Sequence, residues 1–109
     1  MNIGMIEAAA GRLKGHVVRT PLLSSPFLDE IAGRRVLVKP ECLQPTGSFK
    51  LRGGWSALSA LPPEARARGV IAFSSGNHAQ GVAYAARAMG APCVILMPSD
   101  APRVKIDNT

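Results

Sequence analysis

The sequence of 109 residues has little cysteine, few aromatic residues and no long apolar segment. Its two cysteines, Cys42 and Cys93, stand far apart, which predicts small, buried, reduced thiols rather than a disulfide framework. No run of about 20 apolar residues is present, so we expect no membrane-spanning helix and no membrane partner. The N-terminal segment has neither a basic start nor an apolar core, which argues against a secretory signal and favours a cytoplasmic location.

Aromatic residues make up only 5% of the chain, which leaves little surface for stacking against nucleic-acid bases. The formal net charge of +6 (Lys+Arg 13, Asp+Glu 7) would by itself suit a nucleic-acid-binding module. The basic residues are scattered, however, and the only adjacent pair is Arg34-Arg35. The composition therefore disfavours nucleic acid as a partner and indicates a solvated basic surface or one half of a charge balance.

Two apolar runs separated by a helical segment predict the fold class. Residues 70–73 and 93–97 are typical of parallel strands, and residues 78–89 between them are small and helical in pattern. This βαβ unit predicts an α/β protein with a parallel sheet flanked by helices. We also expect a strand over 36–38 and helices over 3–14, 26–32, 48–61 and 62–69. Because two or three strands leave sheet edges and faces uncovered, the pattern predicts the front part of a longer α/β protein.

The first chemical motif is a lysine in the opening turn of a predicted helix, directly after a Gly-containing loop (residues 46–50). The exposed N–H groups of a helix start are electropositive and disfavour a cation. Lys50 is therefore either an amine with a lowered pKa that attacks a carbonyl or an ordinary exposed lysine. The same helix start can also hold a phosphate. The costly pair Gly53-Gly54 indicates either close packing or the close approach of another group to the helix backbone.

The second motif follows the apolar strand 70–73 and consists of Ser74-Ser75-Gly76-Asn77-His78. Loops at the carboxyl ends of parallel strands bind ligands in α/β folds, and these groups suit a small anion such as a carboxylate. The alternative is a capped helix start, with Ser75 or Asn77 as the cap and His78 incidental. The cysteines and histidines show no zinc-binding spacing, so no metal is expected.

Together the motifs resemble two signatures of the pyridoxal-phosphate-dependent serine/threonine dehydratases. Residues 41–53 are similar to the cofactor-attachment signature, and residues 74–83 are similar to the second hallmark of the family. The resemblance implies the N-terminal portion of a fold type II enzyme, with the tryptophan-synthase-β-like fold. It assigns residues 1–50 to the first segment of the large cofactor-binding domain. Residues 51–109 would be mostly a truncated small α/β domain.

The resemblance implies a role for each matched residue. Lys50 would hold pyridoxal 5′-phosphate covalently and remove the substrate α-proton, Phe49 would pack beside the ring, and Asn77 would hydrogen-bond the 3′-oxygen. Ser75 would be a second acid/base, as in serine racemases. The substrate carboxylate would lie among Ser74, Ser75, Gly76, Asn77 and His78. The implied reaction is β-elimination of a hydroxy amino acid, such as threonine or serine, to a 2-oxo acid and ammonia.

Two alternatives stay open at the level of sequence. A serine or amino-acid racemase of the same family would carry the same motifs. A truncated, non-catalytic chain is the other, because the family's glycine-rich phosphate-binding loop is not in this sequence. For the full-length form we expect a homo-oligomer that acts on a small amino-acid substrate.

Overall fold

The computed structural model describes residues 2–109 as a chain of helices around a small parallel sheet. Within these residues the strands are β1 (Val70–Phe73) and β2 (Cys93–Leu96), and a 3-10 turn spans Glu41–Leu43. The helices are α1 (Ile3–Leu13), α2 (Pro26–Ala32), α3 (Lys50–Ser59), α4 (Pro63–Arg68), α5 (Asn77–Ala88) and α6 (Arg103–Asp107). None of the helices described is long and apolar enough to cross a membrane.

The sheet is the predicted βαβ unit, in which α5 connects β1 to β2. The strands pair in parallel, in a register that runs from Val70 opposite Cys93 to Phe73 opposite Leu96. The expected fold class, a parallel sheet flanked by helices, is therefore confirmed. Alternate residues of each strand pack towards the core, and the opposite face exposes Ile71, Phe73, Val94 and Leu96. The chain thus covers one face of its sheet and leaves the other uncovered, as the sequence predicts.

The core forms where α3 lies against α5. Apolar residues recur on α3 at Leu51, Trp55 and Leu58, three and four positions apart, so they share one face of the helix. They pack on small residues of α5, where Ala85 and Ala86 are fully buried. The small side chains of α5 allow the two helix axes to approach closely, and this contact is the centre of the fold.

Two glycines make the crossing of α3 and α5 a backbone-to-backbone contact. A Cβ atom on Gly54 would lie 2.7 Å from the Gly81 carbonyl oxygen, and one on Gly81 would lie 2.8 Å from the carbonyl carbon of Lys50. By contrast, a Cβ on Gly53 would meet nothing within 4 Å. Of the pair predicted to indicate close packing, only Gly54 serves that purpose, and its contact fixes the first turns of α3 against α5.

The prediction of a strand over 36–38 is wrong. The structure has only an isolated antiparallel bridge between Leu23 and Val38 in this region. The backbone N–H of Val36 donates to the Asp29 carboxylate at 2.7 Å, so a side chain takes the hydrogen bond that a neighbouring strand would have accepted. A β-branched run without a partner strand does not build a ladder.

Several element limits and one burial prediction also differ. The helix expected to begin near Ser48 begins at Lys50 and ends at Ser59, and the second strand ends one residue earlier than predicted, at Leu96. Cys42 is exposed rather than buried. Cys93 is half-buried, and burial raises the pKa of its thiol. Both cysteines are free, as expected.

Candidate active site

Lys50 is the first residue of α3 and is exposed to solvent. Its backbone N–H lies 3.4 Å from the hydroxyl of the buried Ser48. Its Nζ lies 4.9 Å from the centroid of the Phe49 ring, which is itself 57% exposed. In the described part of the chain no carboxylate oxygen is within 4.0 Å of Nζ. The lysine therefore presents an accessible amine next to an accessible aromatic face.

The predicted anion-binding loop lies at the carboxyl end of β1. Its first residue, Ser74, extends the strand ladder through a hydrogen bond to the Leu96 carbonyl oxygen at 3.0 Å. The Ser74 hydroxyl accepts from the backbone N–H of Gly76 at 3.2 Å, which holds the turn into α5. No side chain caps α5, so the alternative in which Ser75 or Asn77 serves only as a helix cap is not the arrangement found.

The remaining loop side chains differ in their hydrogen bonding. Within residues 2–109, the exposed side chains of Ser75 and His78 have no hydrogen-bond partner. The Asn77 oxygen Oδ1 accepts from Lys105 of α6 at 2.5 Å, and the same ammonium donates to Gln80 at 3.1 Å. The loop thus presents a free hydroxyl, an imidazole and an amide whose oxygen is occupied.

The glycine contact brings the two motifs to the same helix crossing. The backbone of Lys50 contacts Gly81, which lies four residues after Asn77, or about 6 Å further along α5. No hydrogen bond joins Lys50 to residues 74–78 among those described here. Lys50 therefore lies beside the first turns of α5 but does not interact with the loop directly.

Sequence reasoning missed a polar network that holds the signature segment. Glu41 accepts two hydrogen bonds from Arg52, Nε to Oε2 at 2.7 Å and an η nitrogen to Oε1 at 2.8 Å. The hydroxyl of the buried Thr20 donates to Oε1 at 2.6 Å, and Gln44 Nε2 donates to Oε2 at 3.1 Å. The arginine two residues after Lys50 is the feature of the sequence that points to such a network, and its partner is Glu41.

Gln44 ties this network to the preceding segment of chain. It is buried, its Nε2 donates to the Val18 carbonyl oxygen at 2.8 Å, and its Oε1 accepts from the Val18 N–H at 3.0 Å. An η nitrogen of Arg52 donates to the same carbonyl at 2.9 Å. The loop before Lys50 is therefore fixed by side chains that, among the described residues, form no hydrogen bond with the lysine side chain or with residues 74–78.

We expect Glu41→Gln to lower the free energy of unfolding by about 3 kcal/mol at pH 7. The hydrogen bonds from Arg52, chiefly, hold the pKa of Glu41 at about 2, below its ordinary 4.5, although burial opposes this. Because the pKa is lower in the folded state, the stabilisation is present above pH 4.5 and is lost as the pH falls towards 2. Urea denaturation of wild type and variant between pH 7 and pH 2 measures it.

The matched control is Asp107→Asn, which removes the exposed ion pair with Arg103. Exposed pairs of this kind contribute about 0.2–1 kcal/mol, so the variant is expected to unfold almost like wild type. If the stability difference between wild type and Glu41→Gln does not shrink between pH 4.5 and pH 2, the assigned role of the network is incorrect.

A cleft of about 510 Å³ opens beside the signature loop. Its lining includes Thr46, Gly47 and Tyr84. It also includes Gln80 and Lys105, the pair that interacts next to Asn77. None of the site residues predicted from the sequence lines this cleft. In residues 2–109 the predicted site is thus an open surface at the crossing of α3 and α5.

The exposed groups suit pyridoxal phosphate. An accessible primary amine can bond an aldehyde, an exposed aromatic face can stack on a pyridine ring, and Nδ2 of Asn77 is a donor without a partner in the described chain. For metals the finding is different: no group of three or more His, Cys, Asp or Glu side chains suited to an ion occurs in residues 2–109.

The described residues thus combine a parallel βαβ unit with an accessible lysine at the crossing of two helices. Residues 13–109 match the family model described as pyridoxal-phosphate dependent enzyme. The chain belongs to this family, and its cofactor is pyridoxal phosphate. The fold is the N-terminal part of the fold type II architecture.

Relatives in the family include lyases and racemases. The chain is 52% identical over 101 residues to L-threo-3-hydroxyaspartate ammonia-lyase of Pseudomonas sp, covering 93% of this chain and 32% of the relative. It is 49% identical to L-threonine ammonia-lyase of Thermotoga maritima, covering 95% and 26%. The structure of maize serine racemase superposes with a TM-score of 0.93 at 41% identity, covering 98% and 32%. The chain therefore spans about a third of the length of the relatives it matches.

Proposed function

We propose that this chain supplies the cofactor-attachment lysine and part of the substrate site of an enzyme that eliminates water from a hydroxy amino acid. The products are a 2-oxo acid and ammonia, and the water lost in the elimination is regained in the hydrolysis that releases ammonia. The 52% identity to a hydroxyaspartate ammonia-lyase and the 49% identity to a threonine ammonia-lyase support this substrate class.

The observation that carries the proposal is the contact of Lys50 with Gly81. It holds an accessible amine beside the start of α5, where the Ser/Asn loop and the free N–H groups of the helix suit a carboxylate. A substrate held by its carboxylate at this loop would lie beside the helix that carries the lysine. When bound, pyridoxal phosphate stabilises the negative charge that develops at that carbon.

Each residue then has a defined task. Lys50 Nζ binds the cofactor and later accepts the α-proton, and the exposed ring of Phe49 packs beside the cofactor. Asn77 donates a hydrogen bond from Nδ2 to the 3′-oxygen of the cofactor. The carboxylate is bound by Ser74, Ser75, Gly76, Asn77 and His78. The Glu41 network keeps the loop before Lys50 in place but takes no part in proton transfer.

Racemisation is the second candidate, and the free hydroxyl of Ser75 favours it. Ser74 is engaged in the turn, whereas Ser75 is exposed and has no partner in the described residues, so it can deliver a proton to an α-carbon. The likeness to serine racemases agrees with this role. In this alternative Lys50 removes the proton on one side and Ser75 returns one on the other.

The proposal retains the division at residue 50 between a large cofactor domain and a small α/β domain. It also retains a cytoplasmic homo-oligomer as the form of the whole protein. In the described residues the cofactor site is an open surface at the α3–α5 crossing. The remaining two thirds of the fold would enclose it.

A chimera tests the proposal. Residues 3–109 replace the matching segment of the Pseudomonas L-threo-3-hydroxyaspartate ammonia-lyase, so that the relative supplies the missing two thirds of the fold. We expect the chimera to release ammonia and a 2-oxo acid from a hydroxy amino acid. Lys50→Ala in the chimera is expected to remove this activity, and Ser75→Ala is expected to remove any formation of D-amino acid but to spare the lyase reaction.

The assay uses ammonia release and chiral chromatography with hydroxyaspartate, threonine and serine as substrates. Lys14→Ala, an exposed lysine outside the site, is the control for lost charge. A chimera that folds and binds cofactor but releases no ammonia would contradict the lyase proposal. Formation of the D-amino acid as the main product, with little ammonia released, would support the racemase instead, provided that Ser75→Ala abolishes it.

A further inference from the structure

Lys105 on α6 donates hydrogen bonds to two neutral amides rather than to a carboxylate. Its half-buried side chain places Nζ 2.5 Å from Asn77 Oδ1 and 3.1 Å from Gln80 Oε1. Asp107, on the same short helix, is paired with Arg103 at 2.8 Å instead. Within residues 2–109 no carboxylate lies within 4.0 Å of the Lys105 ammonium, so its charge is met by two neutral amide oxygens.

These contacts determine which way the Asn77 amide faces. An ammonium group can only donate hydrogen bonds, whereas an amide has an accepting oxygen on one side and a donating nitrogen on the other. Asn77 must therefore turn its oxygen to Lys105, which directs Nδ2 to the other side. The buried Gln80 lies three residues later on the same face of α5 and holds the ammonium in place.

We propose that Lys105 is a positioning residue that keeps Asn77 oriented as a hydrogen-bond donor towards the 3′-oxygen of pyridoxal phosphate. The inference rests on the proposed function, in which Asn77 contacts that oxygen. Lys105 acts in two ways: it excludes the flipped amide, which would present an oxygen to an electron-rich oxygen, and its charge polarises the amide and strengthens the Nδ2 donor.

The test measures the affinity of the chimera with the Pseudomonas lyase for pyridoxal phosphate by fluorescence titration. We expect Lys105→Met to weaken binding about tenfold, the effect of one charge-assisted hydrogen bond, and Lys105→Arg to restore most of it. Lys14→Met, which removes an exposed lysine charge elsewhere, is expected to leave the affinity unchanged. In an Asn77→Ala background the Lys105→Met change is expected to have no further effect, because there is no amide left to orient.

A second measurement uses the cofactor-free chain. The side-chain amide resonance of Asn77 in a ¹⁵N-labelled sample is expected to shift in Lys105→Met and to stay in place in Lys14→Met. If wild type and Lys105→Met bind the cofactor equally well, the inference is overturned while the proposed function stands. The same holds if Lys105→Met still weakens cofactor binding in the Asn77→Ala background. If the amide resonance shifts as expected but the wild-type chimera binds no cofactor, the proposed function fails and the positioning role fails with it.

Discussion

Replacing Lys50 with alanine is expected to abolish covalent capture of pyridoxal phosphate by this chain. The amine is exposed, has no carboxylate within 4.0 Å among residues 2–109, and lies next to an exposed aromatic ring. These conditions leave its nitrogen free to bond the aldehyde carbon of the cofactor. Incubation with pyridoxal phosphate, reduction with borohydride and peptide mass spectrometry locate the modified lysine. In wild type the modification is expected at Lys50, and in the variant it is expected to vanish.

Two variants separate this effect from a general loss of charge. Lys50→Arg keeps the cation but lacks a reactive primary amine, so it too is expected to remain unmodified. Lys14→Ala removes a surface lysine and is expected to label at Lys50 like wild type. Equal modification of the four lysines in wild type would mean that these residues build no selective site on their own. The lysines compared are Lys14, Lys39, Lys50 and Lys105.

Gly54→Ala is expected to lower the free energy of unfolding by about 1–3 kcal/mol, through overpacking at the helix crossing. The added Cβ would lie 2.7 Å from the Gly81 carbonyl oxygen and 2.8 Å from its carbonyl carbon. Both atoms belong to the backbone of α5, so no side chain can rotate to relieve the clash. The helices must separate, which loosens the contacts of Leu51 and Trp55 in the core. Urea denaturation followed by circular dichroism measures the change.

The neighbouring glycine is a matched control, because it belongs to the same helix and is replaced by the same residue. Gly53 has nothing within 4 Å of a Cβ, so Gly53→Ala is expected to stabilise the chain by up to about 1 kcal/mol through helix propensity. A smaller Lys50 adduct in Gly54→Ala, with the adduct unchanged in Gly53→Ala, would link the crossing to the site. Equal stability of the two variants would show that the crossing does not depend on glycine at 54.

Much of the local structure follows from the sequence. The four apolar residues 70–73 form β1 as predicted, and Asn2 caps α1 by accepting from the Met5 N–H at 3.0 Å. These features depend on residues close together in the chain. The strand predicted over 36–38 does not form because a strand requires a partner elsewhere in the chain, which a local pattern cannot predict. In the structure the Val36 N–H donates to the Asp29 carboxylate instead.

The site divides in the same way. The sequence indicates Lys50 and the loop 74–78 because their residue types and their places at helix starts are local signals. It does not predict that Glu41 pairs with Arg52, or that Lys105 reaches Asn77 across 28 residues. These pairs depend on the path of the intervening chain, which no local pattern encodes.

The sequence by itself therefore determined the family motifs, the βαβ unit and the kinds of side chain available for chemistry. The tertiary structure alone decided which glycine forms the crossing, which carboxylate holds the signature loop and which way the Asn77 amide faces. The physical reason is that hydrophobic periodicity and turn residues act over a few positions. Hydrogen bonds and close backbone contacts form instead between residues far apart in the chain, once the helices have packed.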